Sequence, residues 1–254
     1  MFRVVIPARY ASARLPGKVL RPIAGKPMVQ WVYERACQAG ADEVLIATDD
    51  ERVLSAARVF HAPAVLTAAD HASGTDRIAE VARARGWPRA AIVVNVQADE
   101  PLIPPALIAQ VAAVLETHAE ADIGTLATPI ESLAEFMDPN AVKVVSDARG
   151  RALYFSRAPI PWNRDGAPGG LASQREFAGA RRHVGLYAYR RAALERLAQL
   201  PPAQLEVRER LEQLRALEHG LKIYVADARE RPGPDVNTLA DLERVSALLS
   251  QLAH

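Results

Sequence analysis

The amino-acid sequence predicts an α/β fold, a mostly parallel sheet flanked by helices with a β-rich inserted lobe. Two observations carry that expectation. In the first half, short apolar and β-branched runs alternate with helical stripes, the β-α order of a parallel sheet with right-handed crossovers. After residue 120 the order changes to strands separated by turns, and helices return from residue 190. With 254 residues, half of them hydrophobic, the chain allows one large α/β domain or one domain with a sizeable insertion.

Val4-Val5-Ile6 reads as a buried strand that stops at Pro7. Met28 to Gly40 reads as a helix: Pro27 stands at its first turn, Val29, Val32, Tyr33, Ala36 and Cys37 form one stripe, and Gly40 ends it. Glu43 to Thr48 is a short buried strand, and Asp49-Asp50 can start a helix over Glu51 to Phe60. A third strand follows at Ala64 to Thr67, and Ser73-Gly74-Thr75-Asp76-Arg77 is a polar turn opening a helix that runs to Gly86. Ala91 to Val96 is the clearest central strand, followed by Gln97-Ala98-Asp99-Glu100-Pro101 and a helix from Pro105 to His118. Strands are then expected at Gly124 to Ile130, Ala141 to Ser146, Ala152 to Phe155 and His183 to Tyr189, with irregular loop between Ile160 and the glycines near 170. Helices at Arg190 to Leu200 and Leu205 to His219, a strand at Lys222 to Ala226 and a helix at Thr238 to Leu252 close the chain. Thr238 and Asp241 make a capping-box-like start for that last helix. The chain thus reads as a nucleotide-binding half over residues 1–125, a β-rich lobe over about 126–190 and a return to the core sheet over 191–254.

A net charge of +1 gives no basic face of the kind that binds nucleic acid in bulk. The single cysteine, Cys37, excludes an intramolecular disulfide and a multi-cysteine metal site, and is expected to pack as a small hydrophobe. No run approaches the roughly 20 apolar residues of a membrane span. The first strand begins at once with no signal peptide before it, so a soluble cytoplasmic protein is the expectation.

Three loops carry candidate chemistry. The first follows the opening strand, where open α/β sheets bind ligands. Arg9, Arg14 and Lys18 fall within ten residues there, beside Gly17. Arginine forks and a lysine point charge both suit phosphate oxygens, so this loop points to a polyphosphate. Neither G-x-G-x-x-G nor G-x-x-x-x-G-K-[ST] is present, so side chains and the backbone around Gly17 must hold the anion. The second loop holds Asp99 directly after a buried strand; it either caps the next helix or, with phosphate present, offers oxygen to Mg²⁺. Glu100 is expected to point the other way. The third set, Ala47-Thr48-Asp49 with Ser73 to Arg77, follows short strands and could read a base and ribose, although Asp76 and Arg77 could equally be a helix-start carboxylate and its ion pair. Arg157, Arg164, Arg182 and His183 place cations in or near the middle lobe, where His183 fits a core histidine as well as a site residue. Glu212 and Gln213, read from periodicity alone, lie on a solvated helix face. The histidines lack metal-ligand spacing, so zinc is not expected.

These segments together resemble the 3-deoxy-manno-octulosonate cytidylyltransferases, or CMP-Kdo synthetases, of Gram-negative bacteria. The likeness rests on Ile6 to Ser12 with Arg14 to Lys18, Ile46 to Asp49, Ser73 to Arg77, Val94 to Gln97 with Asp99-Glu100-Pro101, Pro139 to Val145, Ala152 to Arg157, Ile160-Pro161-Trp162, Arg182-His183 with Gly185, and Leu211 to Arg215. It runs from residue 3 to about 245. It implies a Rossmann-like, nucleotide-diphospho-sugar transferase-like fold and the transfer of CMP from CTP to 3-deoxy-D-manno-octulosonate (Kdo), with Mg²⁺, for lipopolysaccharide biosynthesis. By resemblance, Arg9, Arg14 and Lys18 hold the triphosphate, and Ala8, Thr48, Ser73, Gly74 and Arg77 line the cytidine site. Gln97 and Asp99 stand where nucleotide and sugar meet, with Asp99 on the metal, and Arg157, His183, Glu212 and Gln213 receive the sugar acid. The resemblance therefore turns Glu212 and Gln213 inward. It also implies a homodimer joined through the β-rich middle.

Two positions depart from the family pattern. Ala98 replaces a glycine, which is tolerable where φ is negative. Asn237 replaces an aspartate, the family's second metal carboxylate; an amide oxygen can still reach Mg²⁺ but with one negative charge fewer, so weaker metal binding is expected. A related enzyme acting on another sugar acid, such as 8-amino-Kdo or sialic acid, and a nucleotide-binding protein with weak turnover are the alternative readings.

Overall fold

The computed structural model describes residues 1–12 and 15–252. The chain opens with β1 (Phe2–Pro7), a loop and a short hairpin, β2 (Pro22–Ile23) and β3 (Lys26–Pro27), before α1 (Met28–Cys37). Then come β4 (Glu43–Thr48), α2 (Glu51–Val59), β5 (Ala64–Leu66), α3 (Gly74–Ala84), β6 (Ile92–Asn95) and α4 (Pro105–Thr117). The middle holds β7 (Ile123–Pro129), α5 (Leu133–Met137), β8 (Lys143–Ser146), β9 (Ala152–Ser156) and the long β10 (Arg181–Arg190). It closes with α6 (Arg191–Gln199), α7 (Gln204–Glu209), α8 (Gln213–Glu218), β11 (Ile223–Asp227) and α9 (Leu239–Leu252). No helix among the described residues is long and apolar enough to cross a membrane.

The central row of strands runs β11-β7-β10-β6-β1-β4-β5. Its β1-β4, β1-β6, β4-β5 and β7-β11 pairs are parallel, and β10 runs antiparallel to both β6 and β7. The sheet is buried on both faces, which explains the continuous apolar runs. Along β1, Val4 and Ile6 join the core shared with α1, α2 and α4, whereas Val5 joins the core on the other face with α3, α6 and α8. From β1 the chain moves outward to β4 and β5, then returns to place β6 on the opposite side of β1. The carboxyl ends of β1 and β6 therefore flank a topological switch point, where such sheets open a crevice.

The β-rich middle continues this sheet. Strands β7 and β10 belong to the central row, and the β8-β9 hairpin joins it through β10. The register of β10 against β7 shifts between Val184 and Tyr187. Such a bulge re-aims neighbouring side chains, and this one lies over the switch point.

Two sequence expectations change. Cys37 is exposed, because Ala36 and Ala39 take the buried positions at the end of α1. The single helix expected over Leu205 to His219 is two helices, broken at Arg210 in the left-handed region (φ 55°). The break is held from outside: the backbone N–H of Arg157 donates to Glu209 Oε2 at 2.8 Å, and Arg157 Nε donates to the Glu209 carbonyl at 2.6 Å. Periodicity cannot register such a tertiary clasp.

Candidate active site

Gln97, just past the end of β6, lines four adjoining cavities. These share walls through Pro7, Arg9, Asp99, Tyr187 and Gln213 and form one crevice at the switch point.

The first cavity, about 310 Å³, is lined by Pro7, Arg9, Ala11, Ser12, Lys18, Val19, Gln97, Ala98 and Asp99. Lys18 Nζ donates to Asp99 Oδ2 at 2.6 Å, tying the two expected ligand loops together. The turn that delivers Lys18 needs Gly17, whose φ is 65°. An added Cβ there would also lie 3.1 Å from the Tyr10 hydroxyl. The Tyr10 ring is in turn covered by the Arg52 guanidinium at 3.5 Å, which Asp50 holds from the start of α2. Tyr10 and Arg52 brace this loop and escape sequence patterning because they meet only in space. Arg14 lies outside the described residues.

The second cavity, about 130 Å³, is lined by Pro7, Arg9, His71, Ser73, Gly74, Arg77 and Gln97. Ser73 and Asp76 form a reciprocal capping box that fixes the start of α3. Arg77 is 2% exposed and pairs with Asp49 at 2.9 Å, rather than with Asp76, while also donating to Thr67 and the Ala68 carbonyl. Thr48 and Ala8 are buried behind this wall. The Thr48 hydroxyl accepts from the Asp50 N–H at 3.2 Å, and the Ala8 N–H donates to the Ala47 carbonyl at 2.8 Å.

On the far side of Gln97, a cavity of about 180 Å³ is lined by Gly74, Thr75, Asn95, Tyr187, Tyr189, Glu212 and Gln213 among others. Here the structure places Glu212 and Gln213 inward, because the break at Arg210 turns the start of α8 toward the sheet. Burial pushes the Glu212 carboxyl upward, against a hydrogen bond donated by the Thr75 hydroxyl. Asn95 Oδ1 is sealed from solvent and has no partner among the described residues.

The fourth cavity, about 340 Å³, joins Gln97, Asp99, Glu100, His183, Tyr187, Gln213, Asp235 and Asn237. The sequence leaves His183 open between a cation and a core histidine; burial pushes it down to about 3, so it is neutral. The Thr125 hydroxyl faces the carbonyl of Leu186 at 2.9 Å and must donate there, so it accepts from His183 Nε2 at 2.9 Å. The β10 bulge creates this arrangement. Glu100 does not point away: the strand has ended, and residues 99 and 100 both reach the cavity. Burial first, then Asp99 and Asp235, push the Glu100 carboxyl up to about 8. Arg157 lies outside all four linings. Its guanidinium donates to the carbonyls of Glu209, Pro139 and Arg210, so it serves the clasp on α7.

Asp235 and Asn237 line the same cavity, with Val236 buried between them. The Val236 N–H donates to the Asp99 carbonyl at 2.9 Å. Asn237 Nδ2 donates to Asp235 Oδ2. Among the described residues no three acidic, histidine or cysteine side chains form a ready metal cluster. The available donors are instead oxygens of Asp99, Asp235 and Asn237 on one cavity wall, a set that suits a hard cation completed by phosphate oxygens. Asp235 is not part of the sequence expectation; it restores beside Asn237 the negative charge that the asparagine lacks.

The model of the cytidylyltransferase family matches residues 3–223. The chain belongs to the cytidylyltransferase family. Curated relatives include the 3-deoxy-manno-octulosonate cytidylyltransferases of Pseudomonas fluorescens, 56% identical over 248 residues, and of Thioalkalivibrio sulfidiphilus, 54% identical, each alignment covering 98% of both chains. Among solved structures, a CMP:2-keto-3-deoxy-manno-octonic acid synthetase complexed with CTP matches 99% of this chain and 100% of its own, with 44% identity and a TM-score of 0.88. A cytidylyltransferase from Leptospira borgpetersenii, 16% identical with a TM-score of 0.62, shares the fold.

Proposed function

We propose that this cytidylyltransferase transfers CMP from CTP to 3-deoxy-D-manno-octulosonate, releasing pyrophosphate, for lipopolysaccharide biosynthesis. The observation that carries the reading is the crevice around Gln97: a cationic cavity and a small polar cavity on one side, and a pocket of hydroxyl, amide and carboxyl groups on the other. The names of curated relatives above 50% identity, matched over 98% of both chains, support the choice of substrates.

The anomeric 2-hydroxyl of the sugar attacks the α-phosphorus in line. The α–β bridging P–O bond breaks, pyrophosphate leaves, and the hydroxyl proton is released. The chain contributes position and charge. Arg9 and Lys18 receive the triphosphate, with Arg14 assigned by resemblance. Lys18 exchanges its contact with Asp99 for phosphate oxygen, which frees Asp99. Ser73 and Gly74 line the nucleoside, with Arg77, Thr48 and Ala8 fixing the wall behind it. Gln97 stands between the two substrates. Glu212, Gln213 and neutral His183 hydrogen-bond the sugar acid, and Arg157 acts only by holding α7 and so α8. Asp99, Asn237 and Asp235 would hold Mg²⁺, which supplies charge neutralisation at the phosphates when bound.

The exposed Leu153 on β9 supports a homodimer contact through the middle lobe, and the exposed Leu205 and Val207 on α7 offer further apolar surface outside it. A reaction that consumes CTP belongs in the cytoplasm, where nucleoside triphosphates are made. Pyrophosphate release tested with CTP, UTP, GTP and ATP against Kdo, 8-amino-Kdo and sialic acid checks the reading. Release requiring CTP and Kdo is expected. Preference for another sugar acid moves the enzyme to that substrate, and CTP binding without release for any sugar reduces it to a binding protein.

A further inference from the structure

The small cavity of about 130 Å³ contains His71, which lies in the turn between β5 and α3. Its Nε2 meets Glu80 Oε2 on α3, and the same oxygen accepts from the Ala68 N–H at 3.0 Å. Burial would raise the Glu80 carboxyl, but the hydrogen bonds from His71 and Ala68 bring it below its ordinary value. An ionised carboxylate only accepts, so the proton of a neutral His71 sits on Nε2. Nδ1 is left with a lone pair pointing nearly opposite to Glu80. Glu80 is outside the cavity lining and His71 is within it, so the ring edge that carries Nδ1 is the edge that can meet a ligand. Of the other polar side chains on that wall, Arg9 and Arg77 only donate, whereas the Ser73 hydroxyl and the Gln97 amide can do either. His71 is the one whose acceptor is fixed by a partner outside the cavity, and a fixed acceptor distinguishes a base bearing an exocyclic amino group from one bearing a carbonyl at the same place.

We propose that His71, oriented by Glu80, is a base-specificity residue that accepts a hydrogen bond from the cytosine amino group and so favours CTP over UTP. The inference rests on reading the crevice as a CTP site. Direct binding tests it without turnover: calorimetric dissociation constants for CTP and UTP are measured on wild type, His71→Leu, His71→Asn and Glu80→Ala. The wild type is expected to favour CTP. Removing the acceptor in His71→Leu should lower the CTP:UTP preference by about tenfold or more, mostly through CTP, whose amino group is left unmatched. His71→Asn, which keeps an acceptor near the Nδ1 position, should retain part of the preference, and Glu80→Ala, which releases the ring, should lose part. Should His71→Leu not fold, the graded losses in the other two variants decide. Equal binding of CTP and UTP by the wild type, or equal weakening of both nucleotides in the variants, overturns the role of His71 while leaving the CTP site standing. No binding of CTP by the folded wild type overturns the CTP reading itself, and this inference with it.

Discussion

Lys18 and Asp99, 81 positions apart, meet at 2.6 Å and join the loop after β1 to the cavity wall that Asp99 shares with Asp235 and Asn237. Asp235 and Asn237 stand on that same wall, so under the proposed reading a bound cation would meet two aspartates rather than Asp99 alone. Asp235→Asn should weaken Mn²⁺ binding in the presence of CTP about tenfold, and Asn237→Asp should strengthen it by a similar factor, read by electron paramagnetic resonance titration. Unchanged titrations for both would remove these residues from the metal site. His183 gives a pH signature. Its folded value of about 3 lies below its ordinary 6.5, so the unfolded chain binds the proton better. That stability is fully present above pH 6.5 and is lost as pH falls toward 3. Between pH 7 and pH 5 the loss should be about 2 kcal/mol. His183→Gln, which can still donate to Thr125, should remove that increment from urea unfolding curves. An identical pH dependence in the variant would show that His183 is not held neutral.

Among the elements, those that shape the crevice are the irregular ones. The bulge in β10 aims His183 and Tyr187, the break at Arg210 turns Glu212 and Gln213 inward, and the segment 228–238 brings Asp235 to Asp99. That last segment is seated by Gly233, where an added Cβ would lie 2.5 Å from Leu102 Cβ and 3.0 Å from the Leu102 carbonyl oxygen. Backbone must then move. Gly233→Ala should cost about 1–3 kcal/mol of stability and displace Asp235, so Mn²⁺ affinity should fall together with the melting temperature. A variant with native metal affinity would show that the segment does not depend on this packing. The regular elements were legible because β1, β4 and β6 carry their burial in continuous apolar runs and the flanking helices carry it in stripes. The bulge, the break and the segment 228–238 depend on Thr125, Glu209 and Val236 finding partners far along the chain, and no local pattern records that.

At the scale of the molecule, the sheet order brings Arg9, Asp99 and Ser73 to one end, and the β10 bulge and the break at Arg210 add His183 and Glu212. The loops after β1 and β6 were readable as ligand loops from their charge and position. Glu212 and Gln213 looked solvated from periodicity, and their inward placement followed only from resemblance. Asp235 and His71 carried no sequence signal, since a carboxylate in a loop and a histidine in a turn are ordinary until the fold puts them on a cavity wall. The central claim is that this crevice joins two substrates across Gln97 by displacement at the α-phosphorus. Phosphorus-31 NMR of a CTP, Kdo and Mg²⁺ mixture, with ¹³C at C2 of the sugar, tests it directly. A new phosphodiester signal coupled to C2, growing in step with pyrophosphate, is the predicted result; CTP left unchanged, or hydrolysed to CMP with no coupled signal, would contradict the account.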